Sequence, residues 1–92
     1  MLYEIKYLEP ETGVFLPADT TQLYEADSEI EALRMFAETR KNDMDVEDVS
    51  IVSEDPFLLR VKGWAEADDG SRFELREDVY EYIAERYNGK NE

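Results

Sequence analysis

Three carboxylates recur every four residues near the end of the chain, Glu77, Glu81 and Glu85, with Asp78 beside the first. Read as a helix, this spacing stacks them along one face at about 6 Å per step. Nothing at the usual spacing neutralises the stripe, because Arg86 has Tyr82 and Ile83 at i−4 and i−3. Like charges so placed cost roughly 0.2–0.5 kcal/mol per pair. A broken local rule of this kind is expected where function demands it. Joined to the Asp68-Asp69 turn and the segment from Asp43 to Asp48, such a ladder imitates nucleic-acid phosphates and fits a basic groove. Tyr80 and Trp64 supply aromatic anchors beside it.

Other chemistry finds less support. Asp43, Asp45 and Glu47 stand at the first, third and fifth positions of a calcium-loop pattern, with Glu54 at the twelfth. The sixth position, however, is Asp48 instead of the glycine that the sharp turn needs, and Ser50 occupies the apolar eighth. The segment therefore reads as a solvated acidic connection, and no metal site is expected. The sequence has no His and no Cys, which excludes disulfides, thiolate or imidazole zinc sites, a Cys nucleophile and any triad with a His base. The glycines, at 13, 63, 70 and 89, are too scattered for a phosphate-binding loop. Paired carboxylates for glycosidase-type work need a defined separation and a pocket to shift their pKa values, which a small domain seldom builds. The expectation is a protein that is not an enzyme, with no catalytic residue and no cofactor.

Charge bounds the partner. Among 92 residues, 24 are Asp or Glu and 10 are Lys or Arg, a formal net charge of −14. With 42% hydrophobic and 12% aromatic residues, the chain is too apolar for a disordered acidic tail and reads as one domain over 1–92. Direct binding to nucleic acid or an anionic membrane is disfavoured, since both rest on basic groups that displace counterions. The expected partner is a basic protein surface. No apolar run approaches a membrane span, and Leu2 to Leu8 already alternates like a strand instead of a leader, so a cytoplasmic location is expected.

The elements that must position these residues follow from periodicity. Tyr3, Ile5 and Tyr7 alternate with Glu4 and Lys6 as a first strand. After the Pro10–Gly13 turn, Val14-Phe15-Leu16 reads as part of a long loop that folds back on the core or anchors a partner, leading to a second strand over Thr20–Ala26. Ser28-Glu29-Ile30-Glu31 is a capping box opening a helix to about Lys41, with Ile30, Leu33, Phe36 and Ala37 on its core stripe. On its outer side Glu31/Arg34, Arg34/Glu38 and Glu38/Lys41 mix signs. Val49–Val52 is the next strand. Phe57–Glu66 and Ser71–Leu75 form a hairpin around Asp69-Gly70, with Phe73 and Leu75 facing the core and Arg60, Lys62, Arg72 and Arg76 clustered for cross-strand pairing. A second helix is expected from Glu77, closing at Gly89, with a frayed tail over 88–92. The fold class is α+β, order ββαβββα, a mainly antiparallel sheet packed by two helices.

The junction Tyr24-Glu25-Ala26-Asp27-Ser28-Glu29-Ile30-Glu31-Ala32-Leu33-Arg34, followed by a hairpin carrying Phe57-Leu58-Leu59 and Asp69-Gly70, resembles small phage-encoded proteins, among them some anti-CRISPR proteins. The resemblance spans roughly Tyr3 to Phe73 and is one of fold pattern. It implies a small inhibitor that binds a host nuclease or surveillance complex, in the host cytoplasm, and it transfers no residue role. The leading reading is thus an acidic inhibitor that blocks a basic nucleic-acid-binding surface through Glu77, Asp78, Glu81, Glu85, Asp68, Asp69, Tyr80 and Trp64. The alternative is an accessory or housekeeping domain whose acidity serves solubility or a high-salt cytoplasm. A monomer or a dimer is expected, a homo-oligomer using Val14-Phe15-Leu16 or an open sheet edge being a third possibility.

Overall fold

The computed structural model describes residues 1–18, 22–44, 46–66, 68–70 and 72–87, with the side chains of 65, 66 and 72–76 left aside. The chain runs β1 (Leu2–Glu9), β2 (Val14–Pro17), β3 (Tyr24–Glu25), α1 (Glu29–Lys41), β4 (Val46–Glu54), β5 (Phe57–Glu66) and β6 (Arg72–Arg86). The first hairpin is short. Its turn closes with Gly13 N–H donating to the Glu9 carbonyl at 2.8 Å, and Gly13 takes φ +71°, where a side chain is strained. The Glu9 carboxylate fastens the same turn by accepting from the amides of Glu11 and Thr12 at 3.0 and 2.9 Å. Val14-Phe15-Leu16 consequently lies in an edge strand paired with β1, not in a loop, and β3 is reduced to two residues.

Helix α1 starts where the capping pattern places it. Ser28 is the N-cap and its hydroxyl accepts from Glu31 N–H at 3.3 Å. Glu31 reaches back one residue further than the box requires, its carboxylate accepting from Asp27 N–H at 3.2 Å. The helix buries Ala32, Leu33, Phe36 and Ala37, and Ile30 packs at the margin. Of the sign-mixing pairs, Lys41–Glu38 forms at 3.6 Å. Arg34 leaves the helix surface and makes a two-pronged contact with Glu54 at the end of β4, both bonds 2.9 Å.

The strands form one antiparallel sheet in the order β2-β1-β6-β5-β4, with β3 beside β1. β6 is central: it pairs β1 through Tyr3↔Arg86 to Tyr7↔Tyr82 and β5 through Phe57↔Tyr82 to Glu66↔Arg72. Tyr3, Ile5, Val49, Phe57, Leu59, Tyr82 and Ala84 meet Leu33 and Phe36 of α1 in the core, with Ile5 and Leu59 almost fully enclosed. The helix covers one face of the sheet; among the described residues no element covers the other.

The expected order ββαβββα with two packing helices is overturned: among the described residues the sheet is packed by one helix, and the segment expected to open the second helix at Glu77 forms the last two thirds of a 15-residue strand. The physical reason lies in the residues themselves. Val79, Tyr80, Tyr82 and Ile83 are strand formers, and alternation puts Tyr80, Tyr82 and Ala84 toward the core. Four residues of strand separate Glu77 from Glu81 by about 13 Å, instead of about 6 Å on a helix, so the like-charge penalty that made the stripe look exceptional is largely removed. Partners across two ladders also saturate the backbone without helix formation. The proposed cap at Gly89 and the tail over 88–92 lie outside the described residues, as do the side chains of Phe73 and Leu75.

Candidate functional site

Alternation decides which acids share a surface. Tyr80, Tyr82 and Ala84 face α1, so Glu77, Glu81 and Glu85 project from the opposite face of the sheet, together with Trp64 of β5. Period two thus keeps the three glutamates on one side although the helical reading fails. Asp78 and Tyr80 point the other way. Asp68 and Asp69 are exposed at the tip of the β5–β6 hairpin, where Gly70 turns with φ +87°. The arrangement does not form one ladder. Glu85 lies opposite Glu4, near the end of the sheet remote from that tip.

Two members of the stripe are neutralised. Arg60 Nε donates to Glu77 Oε2 at 2.9 Å, and Lys6 Nζ lies 2.9 Å from Glu85 Oε1. Lys6 sits beside the like-charged pair Glu4 and Glu85; its hydrogen bond to Glu85, and the field of both carboxylates, hold its ammonium above the ordinary lysine range against a smaller effect of burial. These cross-strand cations could have been found only by knowing the register, since Lys6 and Glu85 stand at opposite ends of the chain.

Several acids share the hairpin end. Val46 at the start of β4 is opposite Gly63, so Glu47 and Asp48 share that end with the Asp68-Asp69 tip, Glu77, Asp78 and Trp64. Glu47 and Asp68 are exposed and make no ion pair among the described residues. Asp48 faces Lys62, which in turn faces Glu77, in one cross-strand row. Because Glu47 and Asp48 belong to β4, the Asp43-to-Glu54 segment is not a calcium loop; Asp45 lies outside the described residues. At the other end of the molecule Asp27 and Glu29 are exposed beside the α1 N-terminus, where the helix dipole favours them.

On the covered face, a cleft of about 440 Å³ opens between the last turn of α1 and the sheet, walled by Tyr7, Tyr24, Phe36, Arg40, Tyr80 and Tyr82. Tyr7 and Tyr80 stand edge to face, centroids 5.8 Å apart at 80°. Phe36 lies 4.9 Å from Tyr82. Burial pushes the Tyr82 phenol up, partly countered by the Arg40 guanidinium, and Arg40 is held by Asp43. Tyr80 thus serves this aromatic wall instead of the acidic surface. The sequence signal was the alternation of tyrosines in β1 and β6, which reads as plain core packing. Among the described residues, the carboxylate that lines the cleft is that of Asp43.

Among the described residues no helix is long and apolar enough to cross a membrane. No protein-family model, curated protein or solved structure matches the chain.

Proposed function

We propose that this chain is a binding protein, an acidic inhibitor of the phage-encoded kind that covers a basic, nucleic-acid-binding surface of a nuclease or surveillance complex. One observation carries the reading: the folded chain has far more carboxylates than its cations can neutralise. Even if every one of the 10 Lys and Arg residues paired with a separate acid, 14 of the 24 carboxylates would remain uncompensated. The cations that pair are spent on holding the sheet and helix together, through Lys6–Glu85, Arg34–Glu54 and Arg60–Glu77. Of the acids left over, Glu47 and Asp68 are exposed at the hairpin end, with Trp64 40% exposed beside them as an aromatic anchor. A surface of this kind steers a basic partner from a distance and is complementary to the groove that the partner uses for phosphates.

Charge reversal tests the reading. The immobilised chain retains a nucleic-acid-handling complex from a lysate at low salt, and Glu47→Lys with Asp68→Lys releases it while the unfolding midpoint stays put. Neither residue pairs with a cation among the described residues, so the loss reads binding and not folding. Equal retention by the double variant places the interaction elsewhere and removes the hairpin end from the account.

A further inference from the structure

The face of the sheet turned away from α1 does not have the composition of a wet surface. An antiparallel sheet with one solvated side alternates apolar-in with polar-out. Here the outward positions carry Leu8, Phe15, Leu58, Val79 and Ile83 between the charged side chains, Val79 being 48% exposed. Leu8 is opposite Phe15 on β2, and Leu58, Val79 and Ile83 surround Glu81, which is opposite Leu58 and one outward position from the other two. Apolar side chains grouped on an uncovered sheet face mark an interaction surface.

The charge of this face identifies the occupant. Among the described side chains, Lys6, Arg60 and Lys62 project here against Glu4, Asp48, Glu77, Glu81 and Glu85, an excess of two acids on this face in a chain of net charge −14. The acids lie in a column on β6 and two of the cations in a column on β5, with Glu77 level with Lys62, Val79 with Arg60 and Glu81 with Leu58. A two-fold axis parallel to the strands, between β5 and β6, lays Glu77 over the Lys62 position of a second copy, Val79 over the Arg60 stem and Glu81 over Leu58. Glu77 and Lys62 thus meet twice across such an isologous contact, in which both copies use the same face. Four strands at about 4.8 Å spacing over about eight residues offer about 500 Å² per copy, about 1,000 Å² for the pair, the lower bound of a specific interface.

We propose that this uncovered face is the interface between two copies of the chain, packed as a sandwich of two sheets. The proposal does not depend on the function proposed above, and salt separates the two. Apolar contact between two strongly acidic chains strengthens as salt screens their repulsion, whereas binding to a basic partner weakens.

Sedimentation equilibrium of the full chain tests it. Between about 10 mM salt, where the Debye length is about 30 Å, and about 1 M, where it is about 3 Å, the mean mass rises from that of the 10.8 kDa chain toward twice that value. Val79→Glu raises the concentration needed for half-association at least about tenfold. Met44→Glu, at a position 92% exposed and off this face, adds the same charge and leaves the association as it was. A monomer mass at every salt up to about 1 mM chain, or equal behaviour of the two variants, overturns the proposal. Loss of capture by the lysate partner leaves it standing.

Discussion

Arg60 and Glu77 meet diagonally across the β5–β6 ladder: the guanidinium Nε lies 2.9 Å from the carboxylate although Arg60 is in register with Val79 and Glu77 with Lys62. Glu77 thus serves two cations, one by direct contact and one by position. This relationship exists only if residues 77–85 are a strand, and it turns the first acid of the stripe from an unpaired charge into a cross-strand tie.

Glu77→Lys distinguishes the strand from the helix by sign. In the strand the new ammonium stands beside Arg60 and Lys62 and costs about 0.5–1 kcal/mol, the modest range of partly exposed cross-strand charges. On a helix the same change would relieve repulsion with Glu81 and stabilise. Urea unfolding of the two proteins reads the direction.

Leu59→Ala, at a residue with no exposed surface, is expected to cost about 2–5 kcal/mol through lost burial and the cavity left between β5 and α1. Val79→Ala on the outer face is expected to cost less than about 1 kcal/mol in the monomer. Denaturant midpoints at low salt, with unchanged slopes, check both values.

Ser28→Ala removes the hydroxyl that accepts from Glu31 N–H and is expected to cost about 1 kcal/mol. Ser28→Asp preserves the acceptor and restores stability. Thermal unfolding followed at 222 nm ranks the three proteins, and equal midpoints would show that the cap contributes nothing.

Stability falls on the alkaline side through two groups. The Lys6 ammonium is held above its ordinary 10.5 by Glu85, so its contribution is complete below that value and disappears as pH rises through the folded pKa. Tyr82 is raised above 10.0 by burial, so the unfolded chain ionises first and stability drops over the same interval. Tyr82→Phe flattens the decline of unfolding free energy between about pH 9 and pH 12. On the acid side Glu54, lowered by its hydrogen bond to Arg34, contributes above the ordinary carboxylate value of 4.5 and is lost as pH falls through its folded pKa. Glu54→Gln removes that part of the acid limb, which a pH series of unfolding curves shows directly.

The legibility of this fold followed the range of the interactions. Strand β1, the Ser28 cap, helix α1 and the β5–β6 hairpin were readable because alternation, capping and Asp69-Gly70 turn chemistry act within a few residues. The β6 segment was misread because Val79, Tyr82, Ile83 and Tyr87 also satisfy a helical period, and a central strand declares itself only through partners at residues 3–7 and 57–66. The same distance hid the cations: Lys6 for Glu85, Arg60 for Glu77 and Arg34 for Glu54 are all non-local. Of the surface residues expected together, Trp64, Asp68, Asp69, Glu77 and Asp78 share the hairpin end, whereas Glu85 lies near the far end of the sheet and Tyr80 lines the tyrosine cleft. The charge excess survived the correction because it is a property of composition, not of pairing.

The central claim is that the carboxylate surface occupies a site built for phosphates, and displacement by nucleic acid tests it most directly. With the retained complex bound to the immobilised chain, short duplex DNA is titrated at constant ionic strength and the released complex is measured. The account predicts release by DNA at concentrations where an equal charge of simple salt releases nothing, and no retention of a complex that already carries its nucleic acid. A complex that binds the chain and DNA at the same time, with neither affecting the other, contradicts it.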